Sequence, residues 1–248
     1  MDPNTPGSGP ARPPLTTYRD FAQMVEHTLV RHDLTEDEVA QGCHLAKEYG
    51  VAAVAVRPCD VELAARVLGG SGVQVAGIAG FPHGSSTTAA KLYEGRDLLR
   101  RGAKEINFVV NIGKMLSRQF QHVETEILQM AESCHQEGAI LKVVCECAYL
   151  ADDLKIILSK ILKRTQADFA DTSTCYGPGG YRLQDVQLLK RVLGDTVKIK
   201  ASGGVRTLEK ALEAYEAGCD RFGATFTAPI LEEWKRRLAA QPKAAPNL

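Results

Sequence analysis

Seven short apolar stretches, each bounded by glycine, proline or polar residues, alternate along the chain with longer segments whose apolar positions recur at helical spacing. They are VAAVAVRP from Val51, VQVAGIAGFP from Val73, EINFVVNIG from Glu105, AILKVVCEC from Ala139, ADFADTST from Ala167, VKIKASGG from Val197 and CDRFGATF from Cys219. All are too short for helices and most are β-branched, so each reads as a strand. An eighth and shorter strand, VEHTL at Val25, follows a first helix near Tyr18.

The helical segments have legible ends. Thr35 followed by Glu38 is a capping-box pattern, and Gly50, Gly102, Gly138 and Gly218 stand where helices stop, the third of them closing a long segment that begins at Ser117. Strands that alternate with helices demand parallel pairing and right-handed crossovers. Eight such units in 248 residues predict a single closed (β/α)8 TIM barrel with an extra N-terminal helix, spanning residues 15–240. A doubly wound open sheet is the competing architecture, but no GxGxxG follows the first strand and no Walker motif occurs. The proline- and glycine-rich residues 1–14 and the segment 241–248 read as flexible tails.

Composition narrows the class of partner. Thirty basic and thirty acidic side chains cancel, so no global field steers the chain to nucleic acid or an anionic membrane. No apolar run approaches the roughly 20 residues that span a bilayer, and the amino terminus lacks the pattern of a signal peptide, so a cytoplasmic protein is expected. Seven cysteines without CxxC spacing or clustered histidines suggest free thiols and no metal site; Cys145 and Cys147, two apart, would face the same side of a strand and read as small core residues.

In such a barrel, reactive groups come from the carboxyl ends of the strands and the loops that follow. That rule selects His27, Arg57, His83, Asn107 with Asn111, Lys142 with Glu146, Asp171 with Thr172, Ser173 and Thr174, Lys200 with Ser202, Gly203 and Gly204, and Thr225. Lys198 and Lys200 share parity, and the position nearer the strand's carboxyl end makes Lys200 the interior one. A desolvated lysine there is either an amine nucleophile or a cation held by a carboxylate for structure. Lys142 shares parity with Glu146 and reads as its partner in an internal salt bridge or as a proton relay, and Asp171 as a capping carboxylate or a reactive one. The ASGG and GPGG turns offer backbone N–H groups to a phosphate or are simply tight turns.

Taken together, FPHGSSTTAAKLYE, GAKEINFVVNIGKMLS, LKVVCE, ADFADTSTCYGPGG and IKASGGVRT follow the order and approximate spacing of the motifs of the deoxyribose-phosphate aldolase family, which the chain resembles from about Val25 to Trp234. EHTL at Glu26 and AVAVRPCDVELA at Ala53 carry the similarity toward the amino terminus. The resemblance implies a class I aldolase, free of metal and other cofactors, that cleaves 2-deoxyribose 5-phosphate to acetaldehyde and glyceraldehyde 3-phosphate through a lysine Schiff base. It also makes a homodimer plausible.

The same resemblance marks departures. The family's DFxKTSTG motif reads DFADTSTC here, which puts Asp171 at the position of the imine-forming lysine, and EINFVVNIG puts Asn107 where the family has a catalytic aspartate. Lys200 matches the family's second lysine. Gly203 and Gly204 match its glycine pair, but Cys175 replaces a glycine, GATFT replaces a GTSSG-like loop and Arg57 stands where asparagine is frequent. The expected catalytic set is therefore Lys200, Asp171, Asn107 and Lys142. Arg57, His83, Glu146, Thr172, Ser173, Gly203, Gly204 and Thr225 are the expected substrate contacts. The favoured function is proton transfer or carbon–carbon bond formation or cleavage on a small carbonyl or sugar-derived substrate. A non-catalytic binding or regulatory barrel, and an ordinary aldolase with Lys200 as Schiff-base lysine, are the alternatives.

Overall fold

In the computed structural model, which describes residues 12–240, all eight expected strands form and all run parallel. They are β1 (Val25–Leu29), β2 (Ala53–Val56), β3 (Gln74–Ala79), β4 (Glu105–Val109), β5 (Ile140–Val144), β6 (Phe169–Asp171), β7 (Lys198–Ala201) and β8 (Arg221–Ala224). Each pairs with the next, and β8 pairs with β1 to close the barrel. The helices are α1 (Tyr18–Ala22), α2 (Glu36–Tyr49), α3 (Val61–Leu68), α4 (Thr88–Arg100), α5 (Ile112–Leu116), α6 (Phe120–Gln136), α7 (Asp152–Arg164), α8 (Leu183–Leu193), α9 (Leu208–Ala217) and α10 (Thr227–Ala240).

Local chemistry sets these boundaries. The Thr35 hydroxyl accepts from the Glu38 N–H at 3.3 Å while the Glu38 carboxylate accepts from the Thr35 N–H at 2.7 Å, and α2 ends on Gly50 in the left-handed conformation at φ 60°. The helix expected from Ser117 begins instead at Phe120. Asn111 caps the separate short helix α5, and Arg118 at φ 55° breaks the chain direction between the two. Outside the barrel, α1 packs against α10, with Phe21 stacked on Trp234 at 5.0 Å between centroids.

Of the two expected tails, residues 1–11 and 241–248 lie outside the described residues. Residues 12 and 13, assigned to the tail, instead lie along the end of α9. The Arg12 guanidinium sits over the Tyr215 ring and pairs with Asp220 at 2.6 Å, and the Tyr215 hydroxyl donates to the Pro13 carbonyl at 2.6 Å. A cation with both a ring and a carboxylate to bind explains why order reaches further than composition suggests.

The inside of the barrel is divided in character. Ala53, Ala55 and Ala76 form a small apolar cluster on β2 and β3. The other strands carry Glu26, Glu105, Lys142, Asp171, Lys200 and Arg221 where such barrels usually stack branched aliphatic side chains. Alternation accounts for the placement: Lys142 is in register with Asn107 and Phe169, and Asp171 with Lys200. Lys198, two positions before Lys200, is exposed at the opposite end of the barrel, so Lys200 is the interior lysine, as its parity and position predict.

Candidate active site

Six charged side chains from six strands meet inside the barrel, three of each sign. Glu26 is their hub. Its Oε1 accepts from Lys200 Nζ at 2.5 Å and from Asn107 Nδ2 at 3.0 Å, while its Oε2 accepts from Lys142 Nζ. Lys142 also donates to Glu105, which receives Arg221 Nη1 at 2.8 and 2.7 Å. Lys200 Nζ lies 2.9 Å from Asp171 Oδ2 as well. All six are largely removed from solvent, so each charge is tolerable only because its neighbours neutralise it.

The network sets the protonation states. Burial disfavours the Glu26 carboxylate, but Lys142, Lys200 and Arg221 outweigh it and hold its pKa below the usual range; Lys142 and Arg221 do the same for Glu105. Burial also disfavours the Lys200 ammonium, yet Asp171 and Glu26 together push its pKa upward. For Asp171 burial prevails over Lys200, and its pKa is raised. Lys200 is thus a firmly protonated cation, and Asp171 is the carboxyl most readily protonated of the pair it forms with Glu26.

Above this cluster opens a cavity of about 740 Å³, lined by Glu26, Asn107, Asp171, Ser173, Lys200, Gly203, Gly204 and Thr225 among others. Two polar atoms of its lining residues, Asn107 Oδ1 and Asp171 Oδ1, are buried and have no hydrogen-bond partner among the described residues. The loop after β6 crosses the mouth: Tyr176 donates to the Val30 carbonyl at 3.1 Å and meets the Phe81 ring edge-on at 5.4 Å. Gly180 presses on the Gly203 backbone so closely that a Cβ there would collide with it, and Tyr181 N–H donates to the carbonyls of Ser202 and Gly203 at 2.9 Å.

Asn107, Asp171, Lys200, Ser173, Gly203, Gly204 and Thr225 line this one cavity together. The remainder of the expected set lies elsewhere. Lys142 is off the cavity wall, wholly buried between Glu26 and Glu105; it is an ion-paired lysine, but its partners are these two carboxylates from other strands and not Glu146, which turns to Ser173 and Thr174. Arg57 pairs with Asp60 at 2.6 Å and donates to the carbonyls of Arg31 and His32, so it props the β1 loop and does not line the cavity. His83 is exposed, two residues past Phe81 and off the wall. Glu146 and Thr172 act behind it. Glu146 accepts from the Ser173 hydroxyl and the Thr174 N–H, both at 2.9 Å, and the Thr172 hydroxyl bridges to the Ser202 backbone.

Sequence reasoning missed Glu26, Glu105 and Arg221 as members of the site. The signal was present: Glu26 and Thr28 share parity in VEHTL, and a barrel holding inward lysines on two strands requires inward carboxylates on others.

Comparison with known proteins decides the ancestry. A model of the DeoC/LacD family aldolases matches residues 21–226. The chain belongs to the DeoC/LacD aldolase family. It is 39% identical over 219 residues to a deoxyribose-phosphate aldolase of Caldanaerobacter subterraneus subsp. tengcongensis, covering 88% of this chain and 95% of that one. A deoxyribose-phosphate aldolase of Thermoanaerobacter pseudethanolicus is 38% identical over 218 residues, covering 88% and 98%. Among solved structures, the aldolase QR15 superposes with a TM-score of 0.84 at 32% identity, covering 90% of this chain and 99% of that one. A tetrameric deoxyribose phosphate aldolase from Aeropyrum pernix superposes with a TM-score of 0.83 at 27% identity, covering 89% and 93%. No helix among the described residues is long and apolar enough to cross a membrane.

Proposed function

We propose that this member of the aldolase family is a carbon–carbon lyase for a small β-hydroxy carbonyl substrate, acting through Asp171 and Lys200 without a protein imine. The observation that carries this reading is the state of Lys200. Among the described residues it is the lysine that lines the cavity, and it is an ammonium bound between Glu26 Oε1 and Asp171 Oδ2. An ammonium has no lone pair with which to attack a carbonyl. Cys175, also on the wall, is exposed to solvent, and the protein packed around it together with the Asp171 charge raises its thiol pKa, which disfavours a thiolate at neutral pH.

The same geometry supports acid–base cleavage. Lys200 Nζ carries three protons, of which two face carboxylates, leaving one for a substrate carbonyl oxygen. Asp171 Oδ1, buried and without a hydrogen-bond partner among the described residues, takes the proton of the β-hydroxyl as the bond between the α- and β-carbons breaks. The hydroxyl carbon leaves as an aldehyde, and the electron pair of the broken bond forms an enolate whose oxygen is stabilised by Lys200. Asp171 then returns its proton to the α-carbon. No co-reactant is consumed, and a raised carboxyl pKa suits a group that must both take and give a proton.

The test is deuterium exchange at the α-carbon of acetaldehyde, acetone and hydroxyacetone in D2O, followed by NMR. Exchange is expected with the wild type and should fall by about 10²-fold or more in both Asp171→Asn and Lys200→Met. Borohydride treatment in the presence of each carbonyl is expected to leave the intact mass unchanged. A reduced adduct on Lys200 would overturn the reading in favour of imine chemistry, and absence of exchange with all three probes would overturn it in favour of a binding protein.

A further inference from the structure

The floor of the cavity has a polar feature that cleavage alone does not use. Asn107 is 3% exposed, and its orientation is settled by Glu26: a carboxylate oxygen held below its usual pKa accepts hydrogen bonds and donates none, so the amide must turn Nδ2 toward Glu26 Oε1. Its Oδ1 is consequently committed to another direction. It is buried, on a residue of the cavity wall, and without a donor among the described residues. A buried carbonyl oxygen in that condition is costly unless a bound group donates to it.

Lys200 and Asn107 are tied to the same oxygen. With Nζ at 2.5 Å and Nδ2 at 3.0 Å from Glu26 Oε1, the two nitrogens lie within about 5.5 Å of each other, the sum of those contacts. A carbonyl oxygen resting on Lys200 is therefore a neighbour of whatever donates to Asn107 Oδ1. Two oxygens on adjacent carbons span such a gap, since hydrogen bonds add roughly 3 Å at each end. The donor is a neutral hydroxyl in preference to an ammonium, because the surrounding charges already cancel, Glu26, Glu105 and Asp171 against Lys142, Lys200 and Arg221, and a further cation would meet two ammonium groups and a guanidinium.

We infer that Asn107 is a specificity residue that accepts a hydrogen bond from a hydroxyl on the carbon next to the substrate carbonyl, so that the site takes α-hydroxy carbonyl compounds in preference to their deoxy counterparts. The placement of the carbonyl on Lys200 rests on the lyase reading above. The recognition of the hydroxyl is a matter of binding, and it is tested separately from turnover.

Dissociation constants for hydroxyacetone, acetone and methoxyacetone, measured by ligand-observed NMR on the full chain, provide that test. Hydroxyacetone is expected to bind about tenfold more tightly than acetone, the worth of one well-made hydrogen bond. Methoxyacetone keeps the oxygen but lacks the proton, and is expected to bind no better than acetone. In Asn107→Leu the preference for hydroxyacetone should vanish. The inference is overturned if the wild type binds hydroxyacetone and acetone within twofold, if methoxyacetone matches hydroxyacetone, or if Asn107→Leu keeps the preference. The first and second comparisons need only the wild type, so a variant that fails to fold leaves them standing. Deuterium exchange on the same samples reports the lyase reading independently: a retained preference without exchange removes the chemistry and leaves the hydroxyl subsite.

Discussion

At the scale of single residues, strand parity separates groups that share a strand but not a role. Glu26 points into the barrel, whereas its neighbour His27 points out toward α10, where its Nδ1 lies 2.8 Å from the Thr227 hydroxyl. Burial pushes the His27 pKa down from 6.5 to about 4, only partly offset by a backbone hydrogen bond. The folded protein therefore holds this ring neutral while the unfolded chain protonates it. The stability it contributes is fully present above pH 6.5 and is lost as pH falls from 6.5 toward about 4. At about 1.4 kcal/mol per pKa unit, the loss between pH 7 and pH 4.5 is about 2–3 kcal/mol. Urea unfolding of the wild type and His27→Gln at these two pH values checks this: the variant should lose that much less, and equal losses would show that His27 does not carry the effect. Parity also decides how much of the site the sequence reveals. Lys200, Asp171 and Asn107 stand out because polar groups sit at the ends of apolar strands. Glu26 sits between valine and histidine in a five-residue strand, and its importance emerges only when six strands bring their charges together.

At the scale of elements, the strands were legible because each apolar run is short, β-branched and bounded by punctuation, and α2 was legible because both of its ends carry capping chemistry. The interruption between α5 and α6 was not, since it depends on Arg118 adopting a left-handed conformation that arginine only uncommonly takes. The loops at the mouth were legible as glycine-rich turns but not as a joined unit. Glu146, itself at φ 47°, reaches from the loop after β5 to hold the one after β6 through Ser173 and through both the N–H and the hydroxyl of Thr174. That same loop carries Tyr176 across the cavity. Glu146→Ala would leave a buried N–H and two hydroxyls to find new partners, at a cost of about 2–3 kcal/mol. For a chain of this size the expected fall in Tm is roughly 5–10 °C. Amide hydrogen exchange should rise first in residues 173–180, ahead of the strands. Protection there equal to that of the wild type would show that the loop holds its place without this carboxylate.

At the scale of the whole molecule, closing the barrel is what makes its interior electrically possible. Six of the eight strands bring a charge inside, β1, β4 and β6 carboxylates and β5, β7 and β8 cations, and these cancel only when the ring is complete. Lys142 shows this most directly, because it stands between Glu26 and Glu105, which lie 116 and 37 positions away along the chain. Lys142→Met would leave those two carboxylates with one cation fewer in a region shielded from water, and should cost about 3–5 kcal/mol. Glu105→Gln alone leaves the opposite imbalance, since Lys142 and Arg221 then share a neutral partner. The double variant restores the balance, with Glu26 and Asp171 facing Lys200 and Arg221, so its cost should fall short of the sum of the two single costs by about 1–3 kcal/mol. Urea unfolding of the four proteins measures that difference, and strictly additive costs would mean that the three groups are stabilised independently. Neither substitution touches the contacts of Lys200 with Glu26 Oε1 and Asp171 Oδ2, so the double variant should retain the α-proton exchange assigned to that pair. Exchange lost from a double variant whose stability has returned would place Lys142 in the chemistry as a proton relay, beyond its part in the balance of charge.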